Sequence, residues 1–361
     1  MTELYARICG QIDAAGGWLP FDDFMAAALY TPGLGYYSAG RIKLGLGPAG
    51  GSDFVTAPEM SPLFGQALAR SVAQALAQTG TDEVWEFGAG TGALAEHVLL
   101  ALQALGVTLR RYVIVELSAD LQQRQAERLQ PWGATVQWAQ QLPETLEAVV
   151  LGNEVLDAMP VQLLHFDGEQ WQERGVAVRE GTLCWADRPT TLRPPYEPPG
   201  GFLPGTVTEI HPQAEAFMRT LAQHLQRGAA FFIDYGFPEA EYYHVQRHGG
   251  TLMCHHQHRA DSDPLVLVGD KDITAHVNFT GIALAAQDAG LTVLGYTSQG
   301  HFLLNSGLGE LMQQADVPAR AMAHRLLAEH EMGELFKVIG LVAGPEFEAL
   351  GFAHGDRSHT L

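Results

Sequence analysis

Apolar positions recur at helical spacing through most of residues 1 to about 75, in "FDDFMAAALYTPGLGYYSAG", which breaks at Pro32-Gly33, and in "SPLFGQALARSVAQALAQTG", which starts at Ser61-Pro62. Between them "GLGPAGGSDFVTAPEM" reads as a glycine-rich loop. From about Asp82 the pattern becomes short apolar runs separated by helical stretches. These are "VWEF", a helix from Ala93 to about Leu105, "YVIVEL", a helix from about Ala119, "TVQW" and "AVVLGNEVL", then "TVTEI", a helix from Pro212 to Leu225, and "AAFFIDYG". Such alternation predicts an α/β fold, a parallel sheet with helices on both faces. "GLTVLGYTSQGHFLLNSG" and "LFKVIGLVAG", around a helical stretch from Met322 to Glu331, predict a closing antiparallel edge pair.

Two segments interrupt this rhythm. "VQLLHFDGEQWQERGVAVREGTLCWA" predicts a β-meander turning at Asp167-Gly168 and Glu180-Gly181, followed by a proline-rich connector, and residues 239–279 form a second excursion. The expected organisation is a helical region over 1–78, a core over 79–345 with insertions at about 160–206 and 239–279, and a tail over 346–361.

Composition narrows the class. With 361 residues, 47% of them hydrophobic and 17% charged, the chain can bury a large core. Its net charge of −20 opposes nucleic-acid binding and favours a basic partner. Three scattered cysteines (Cys9, Cys184, Cys254), no targeting pattern and no apolar run of bilayer length lead to the expectation of a soluble cytoplasmic protein.

Chemistry concentrates in "VWEFGAGTGALAEHV". Gly88, Gly90 and Gly92, between a strand and a helix, let backbone amides approach a ligand, and the spacing through Ala93 also admits a dinucleotide. Glu86 decides between them, because a carboxylate repels a pyrophosphate but attracts the sulfonium and ammonium of S-adenosylmethionine. Glu116, which closes "YVIVEL", suits both hydroxyls of a ribose. "QWAQQ" offers Trp138, Ala139 and Gln140 to an adenine, against a plain core role for Trp138.

"DFVTAPEMSPLFGQ", "EFGAGTG", "VVLGNEVLDAMPV", "FIDYG" and "DITAHVNF", in this order, resemble the MidA-like proteins, class I S-adenosylmethionine-dependent methyltransferases whose mitochondrial members assist assembly of respiratory complex I. The resemblance spans about residues 20–340. It implies a Rossmann-like class I methyltransferase sheet, mainly parallel with an antiparallel C-terminal strand. It also implies protein-arginine methylation, with a complex I subunit as one possible protein partner. Carried over, Glu86, Gly88, Gly90, Gly92 and Glu116 match the cofactor site, and Asn153, Glu154 and Asp157 match the segment after the fourth strand. Thr56, Pro58, Glu59 and Ser61 fall in an N-terminal loop expected to fold over the cofactor as a lid. "EFGAGTG" stands where other members often have Leu-Gly-Pro-Gly, which keeps the glycines and the acid.

Paired carboxylates suit a guanidinium, since a bidentate grip orients it and localises its charge, so Glu154 and Asp157 are candidate catalytic residues. Asp157 as a turn cap is the competing reading. Glu209 and Asp234 are further strand-end acids that an active-site crevice would reach. His276, with Asp272 nearby, is a candidate proton acceptor because an imidazole titrates close to working pH. "CHHQH" lacks a second cluster, so no metal is expected and His255 and His258 read as pocket or core residues. Two other functions remain open: a non-catalytic assembly factor built on a cofactor-binding fold, and an NAD(P)-linked oxidoreductase.

Overall fold

The structure is a computed structural model that describes residues 2–38 and 56–361. Most of the glycine-rich stretch noted in the sequence lies outside the described residues. The chain opens with α1 (Glu3–Ala14), the two-residue strand β1 (Leu19–Pro20) and α2 (Phe21–Tyr30). From Thr56 the short α3 (Ala57–Met60) leads into α4 (Pro62–Thr79). Ser61 caps α4, accepting at Oγ from the Leu63 amide, Pro62 occupies its first position, and Gly80 ends it at φ 65°.

The α/β core follows as β2 (Glu83–Phe87), α5 (Ala93–Ala104), β3 (Arg111–Val115), α6 (Ala119–Arg128), β4 (Val136–Ala139) and β5 (Leu146–Asn153). An excursion holds β6 (Gln162–Phe166), β7 (Trp171–Arg179), β8 (Thr182–Pro189) and β9 (Val207–Ile210). After α7 (Pro212–His224) and β10 (Leu225–Phe237), a second excursion holds α8 (Glu239–Tyr242), β11 (Met253–His256), β12 (Arg259–Asp261) and β13 (Asp272–Thr274). The chain then runs through β14 (Val277–Asn278), α9 (Phe279–Asp288), β15 (Thr292–Ser298), α10 (Gln299–Asn305), α11 (Leu308–Gln314), α12 (Val317–Leu327) and β16 (Phe336–Ala343).

The core sheet has the order β15-β16-β10-β5-β2-β3-β4, with β14 extending the end of β10. Strands β4, β3, β2, β5 and β10 run parallel, and β16 is inserted antiparallel between β10 and β15. The expected closing antiparallel pair is therefore present. Successive residues of a strand face opposite sides, and β10 shows it: Phe231 packs with α4, α5 and α10, whereas Phe232 packs with α7 and α9. A third cluster joins Ile8 and Phe24 of the N-terminal helices to Leu163, Val176 and Leu183 of the first excursion.

"TVTEI" departs from its expected place in the parallel sheet. As β9 it pairs antiparallel with β6 in a separate sheet ordered β1-β7-β6-β9, with β8 on β7. Thr208 and Glu209 of this strand are both buried, and Glu209 finds its partners in the second excursion, a polar demand that the apolar centre of a parallel sheet does not meet.

Candidate active site

The carboxyl ends of β2, β3, β5 and β10 meet at a cavity of about 960 Å³, where open α/β sheets bind ligands. Gly88, Gly90 and Gly92 take φ values of 64°, 53° and 84°, so the turn from β2 into α5 needs glycine for its backbone path. A Cβ on Gly88 would also stand 2.9 Å from Cγ2 of Val155.

Gly88 and Gly90 line both this cavity and a recess of about 40 Å³ behind it. Glu86 belongs to the recess, together with Asn153, Pro58 and Glu59. Its carboxylate accepts from the Tyr112 hydroxyl at 2.6 Å, and burial pushes its pKa up to about 7. Oδ1 of Asn153 has no partner among the described residues. An ionisable acid with no cation beside it to hold it charged and an unsatisfied acceptor in one recess fit the ammonium-bearing end of a ligand.

Glu116 stands on the large cavity, at the end of β3. It accepts from the Ser118 amide at 2.8 Å and from Gln125 at 3.3 Å, and burial raises its pKa. Gln125 escaped the sequence reading. Fully buried on α6, it donates to the Gly90 carbonyl at 2.8 Å and accepts from Trp138 at 2.8 Å, tying the glycine turn to β3 and β4. Trp138 thus turns to Gln125 and packs against the core, and neither it nor Ala139 nor Gln140 lines the cavity.

The segment after β5 carries the two paired candidates. Glu154 adopts φ 55°, a costly conformation for a residue with a Cβ, and its amide donates to the Ile233 carbonyl at 2.9 Å. Burial first, then the charge of Asp157, pushes its carboxyl up to about 8, against hydrogen bonds from Asn153 and the Ala57 amide. Asp157 receives the Tyr235 hydroxyl at Oδ2, leaves Oδ1 without a partner among the described residues, and is likewise raised by burial. Both acids line the cavity with Tyr235 and Asp272.

Asp234 and Glu209 do not line it. Oδ2 of Asp234 accepts the amides of Val155, Leu156 and Asp157 at 3.1, 2.9 and 3.2 Å, so this acid holds the backbone of the loop that bears the candidates. Glu209 accepts from the amides of Thr251 and Leu252 and from Tyr242 at 2.8, 3.0 and 2.9 Å. Each serves backbone that must be satisfied when buried, a use that strand-end position alone does not reveal.

His276 lines the cavity between the rings of Tyr235 and Phe237, at centroid distances of 5.2 and 5.3 Å. Burial, then Arg247 and Lys337, hold its pKa down to about 4, which corrects the expectation that it titrates near working pH. His255 lines the same cavity, whereas His258 lies exposed in the β11–β12 turn at φ 61°. Among the described residues no three His, Cys, Asp or Glu side chains are grouped to hold a metal.

Thr56, Pro58 and Glu59 stand over the recess, while Ser61 serves α4. Glu59 accepts from the Thr91 hydroxyl within the glycine turn and pairs with Arg128 at 3.3 Å, and Arg128 also reaches Glu96 at 2.6 Å. Through Arg128, α3, the turn, α5 and α6 share one network.

A model of the family described as "Putative S-adenosyl-L-methionine-dependent methyltransferase" matches residues 67–297. Curated relatives include the mitochondrial protein arginine methyltransferase NDUFAF7 homolog of Drosophila melanogaster, 27% identical over 91% of this chain and 82% of that protein. The Homo sapiens protein arginine methyltransferase NDUFAF7 is 26% identical over 89% and 79%. A crystal structure from Burkholderia thailandensis, bound to S-adenosyl-homocysteine, is 51% identical, covers 99% of this chain and 96% of that one, and superposes with a TM-score of 0.95. The cytoplasmic location expected from the sequence is overturned by these curated relatives, which are mitochondrial proteins. No helix among the described residues is long and apolar enough to cross a membrane.

Proposed function

Because the chain belongs to the S-adenosyl-L-methionine-dependent methyltransferase family, we propose that the group it methylates is the guanidinium of an arginine in a partner protein, with a respiratory complex I subunit as the first target to try. The observation that carries this reading is the meeting of Glu154 and Asp157 in one cavity with the glycine turn. Relatives named protein arginine methyltransferases support it.

S-adenosyl-L-methionine supplies an activated methyl group when bound. On this reading Gly88, Gly90 and Gly92 offer backbone to it, Glu116 takes the ribose, and Glu86 with Asn153 takes the ammonium. The stretch Thr56–Glu59 closes the recess over the cofactor, and the organisation this reading keeps is an N-terminal region over 1–78, a core over 79–345 and a tail over 346–361. Glu154 and Asp157 grip two nitrogens of the guanidinium and leave the third to react, which makes transfer chiefly a matter of orientation in a site shielded from water. The proton released on methylation matches Glu154, whose carboxyl sits near 8, better than His276 near 4. His276 then serves as a neutral acceptor through Nδ1, which has no partner among the described residues.

The test is incubation of a lysate from cells lacking this protein with the purified chain and methyl-labelled S-adenosyl-L-methionine, followed by mapping of the label. Label on arginine is the expected result. Label on another residue type or on small molecules would refute the arginine assignment, and cofactor binding with no transfer would favour the non-catalytic assembly factor.

A further inference from the structure

Tyr30, at the end of α2, and Tyr37, in the turn that follows, stack their rings with centroids 5.6 Å apart and planes 20° apart. Both are tied to the substrate side of the cavity. The Tyr30 hydroxyl donates to the Ala158 carbonyl at 2.7 Å, and the Tyr37 hydroxyl donates to Oδ1 of Asp272 at 2.9 Å. Tyr30, Tyr37, Asp157 and Asp272 all line the cavity. Desolvation of the hydroxyl ends, with the charges of Asp272 and Asp157, pushes both phenols up although Tyr30 as a whole is 42% exposed, so both hydroxyls remain donors. Asp157, only 4% exposed, keeps Oδ1 without a partner among the described residues, an acceptor on the same cavity for a donor brought from outside.

We propose that Tyr30, Tyr37 and Asp272 form the specificity wall of the substrate site, selecting a planar cation over a compact one. The inference rests on the arginine reading and adds the residues that enforce it. A guanidinium is flat and weakly hydrated and stacks on aromatic faces, whereas an ammonium is a strongly hydrated point charge that gains less from a flat wall. Two ring hydroxyls anchored to Ala158 and Asp272 keep the wall from reorganising when the cation enters. Asp272 faces the cavity from the second excursion and Tyr30 and Tyr37 from the N-terminal region, so selectivity resides in elements outside the parallel sheet.

The experiment titrates ethylguanidinium and propylammonium into the full chain saturated with S-adenosyl-homocysteine, for wild type, Tyr30→Leu, Tyr37→Phe and Asp272→Asn. Wild type is expected to prefer ethylguanidinium by at least about fivefold, and Tyr30→Leu to reduce that preference below about twofold. Asp272→Asn is expected to weaken both ions by about tenfold, with S-adenosyl-homocysteine affinity unchanged. Tyr37→Phe keeps the ring and drops only the bond to Asp272, so it should weaken ethylguanidinium selectively, and it decides the matter should Asp272→Asn not fold. Variants that bind S-adenosyl-homocysteine normally and retain the wild-type preference and affinity would overturn the wall alone. A wild type that prefers propylammonium, or binds neither ion, would overturn the arginine reading and the wall with it.

Discussion

The Tyr235 hydroxyl donates to the carboxylate of Asp157, and the residue before it, Asp234, accepts three amides of the loop that carries Asp157. The end of β10 therefore positions Asp157 twice, through its side chain and through its backbone. Tyr235→Phe removes the side-chain contact and leaves the amide contacts in place. Burial then raises the Asp157 pKa further, since the hydroxyl is the first influence opposing it. Methyl transfer should fall by roughly tenfold, about 1.4 kcal/mol, with S-adenosyl-homocysteine affinity intact by calorimetry. A wild-type rate would show that Asp157 does not need this donor.

Gly90 carries φ 53° and lines both the cavity and the recess. Gly90→Val places a branched side chain where the backbone path disfavours it and where the ligand approaches, so binding of S-adenosyl-homocysteine should be lost. Glu116→Ala should weaken it by about 1.5–3 kcal/mol, the range for hydrogen bonds to a charged group. Calorimetry on folded variants decides both, and unchanged affinity in either would place the cofactor elsewhere.

Arg128 is partly exposed and bridges Glu59 of α3 to Glu96 of α5. Exposed ion pairs contribute about 0–1 kcal/mol each, so Arg128→Met should hardly alter the melting temperature. It should nonetheless weaken S-adenosyl-homocysteine by roughly threefold or more, because α3 is then fastened to the glycine turn by the Thr91–Glu59 contact alone. Deleting the stretch from Thr56 tests the same idea only if the cut stops before Ser61, which caps α4. Equal affinity in Arg128→Met and wild type would remove the fastening role.

The strand–helix alternation and the glycines were legible because period and backbone conformation are local properties written into residue type. The partners of buried polar groups were not. Glu209, Asp234 and Glu154 are all acids at strand ends, yet only Glu154 faces the cavity, because the first two are claimed by amides from segments 42 and about 78 residues distant in sequence. Gln125 was invisible for the same reason: it sits in "LQQRQAER" among other polar residues, and only the packing of α6 on the glycine turn selects it. The misplaced "TVTEI" had a strand pattern in either location, and the choice of sheet depended on β6 and the buried demand of Glu209.

Glu154 ties the charge of the cavity to pH. Its carboxyl lies near 8, chiefly through burial, so in the ligand-free protein it is mostly protonated below that value and cannot offer two acceptor oxygens to a guanidinium. Ionisation on the alkaline side restores the grip, so kcat/KM should rise with pH through about 8. The stability effect has the opposite direction. The folded state holds this proton above the pKa of an unfolded glutamate, so the stabilisation is complete at acid pH and is lost as pH rises toward 8. Ligand-free melting temperature should therefore decline across that interval, and Glu154→Gln should make the decline shallower. The same variant keeps the shape without the charge, so methyl transfer should drop by at least about tenfold and its alkaline rise should flatten, while cofactor affinity changes little. A variant that transfers at the wild-type rate with the wild-type pH profile would move the substrate carboxylate to Asp157, and one that loses cofactor instead would place Glu154 on the other side of the reaction.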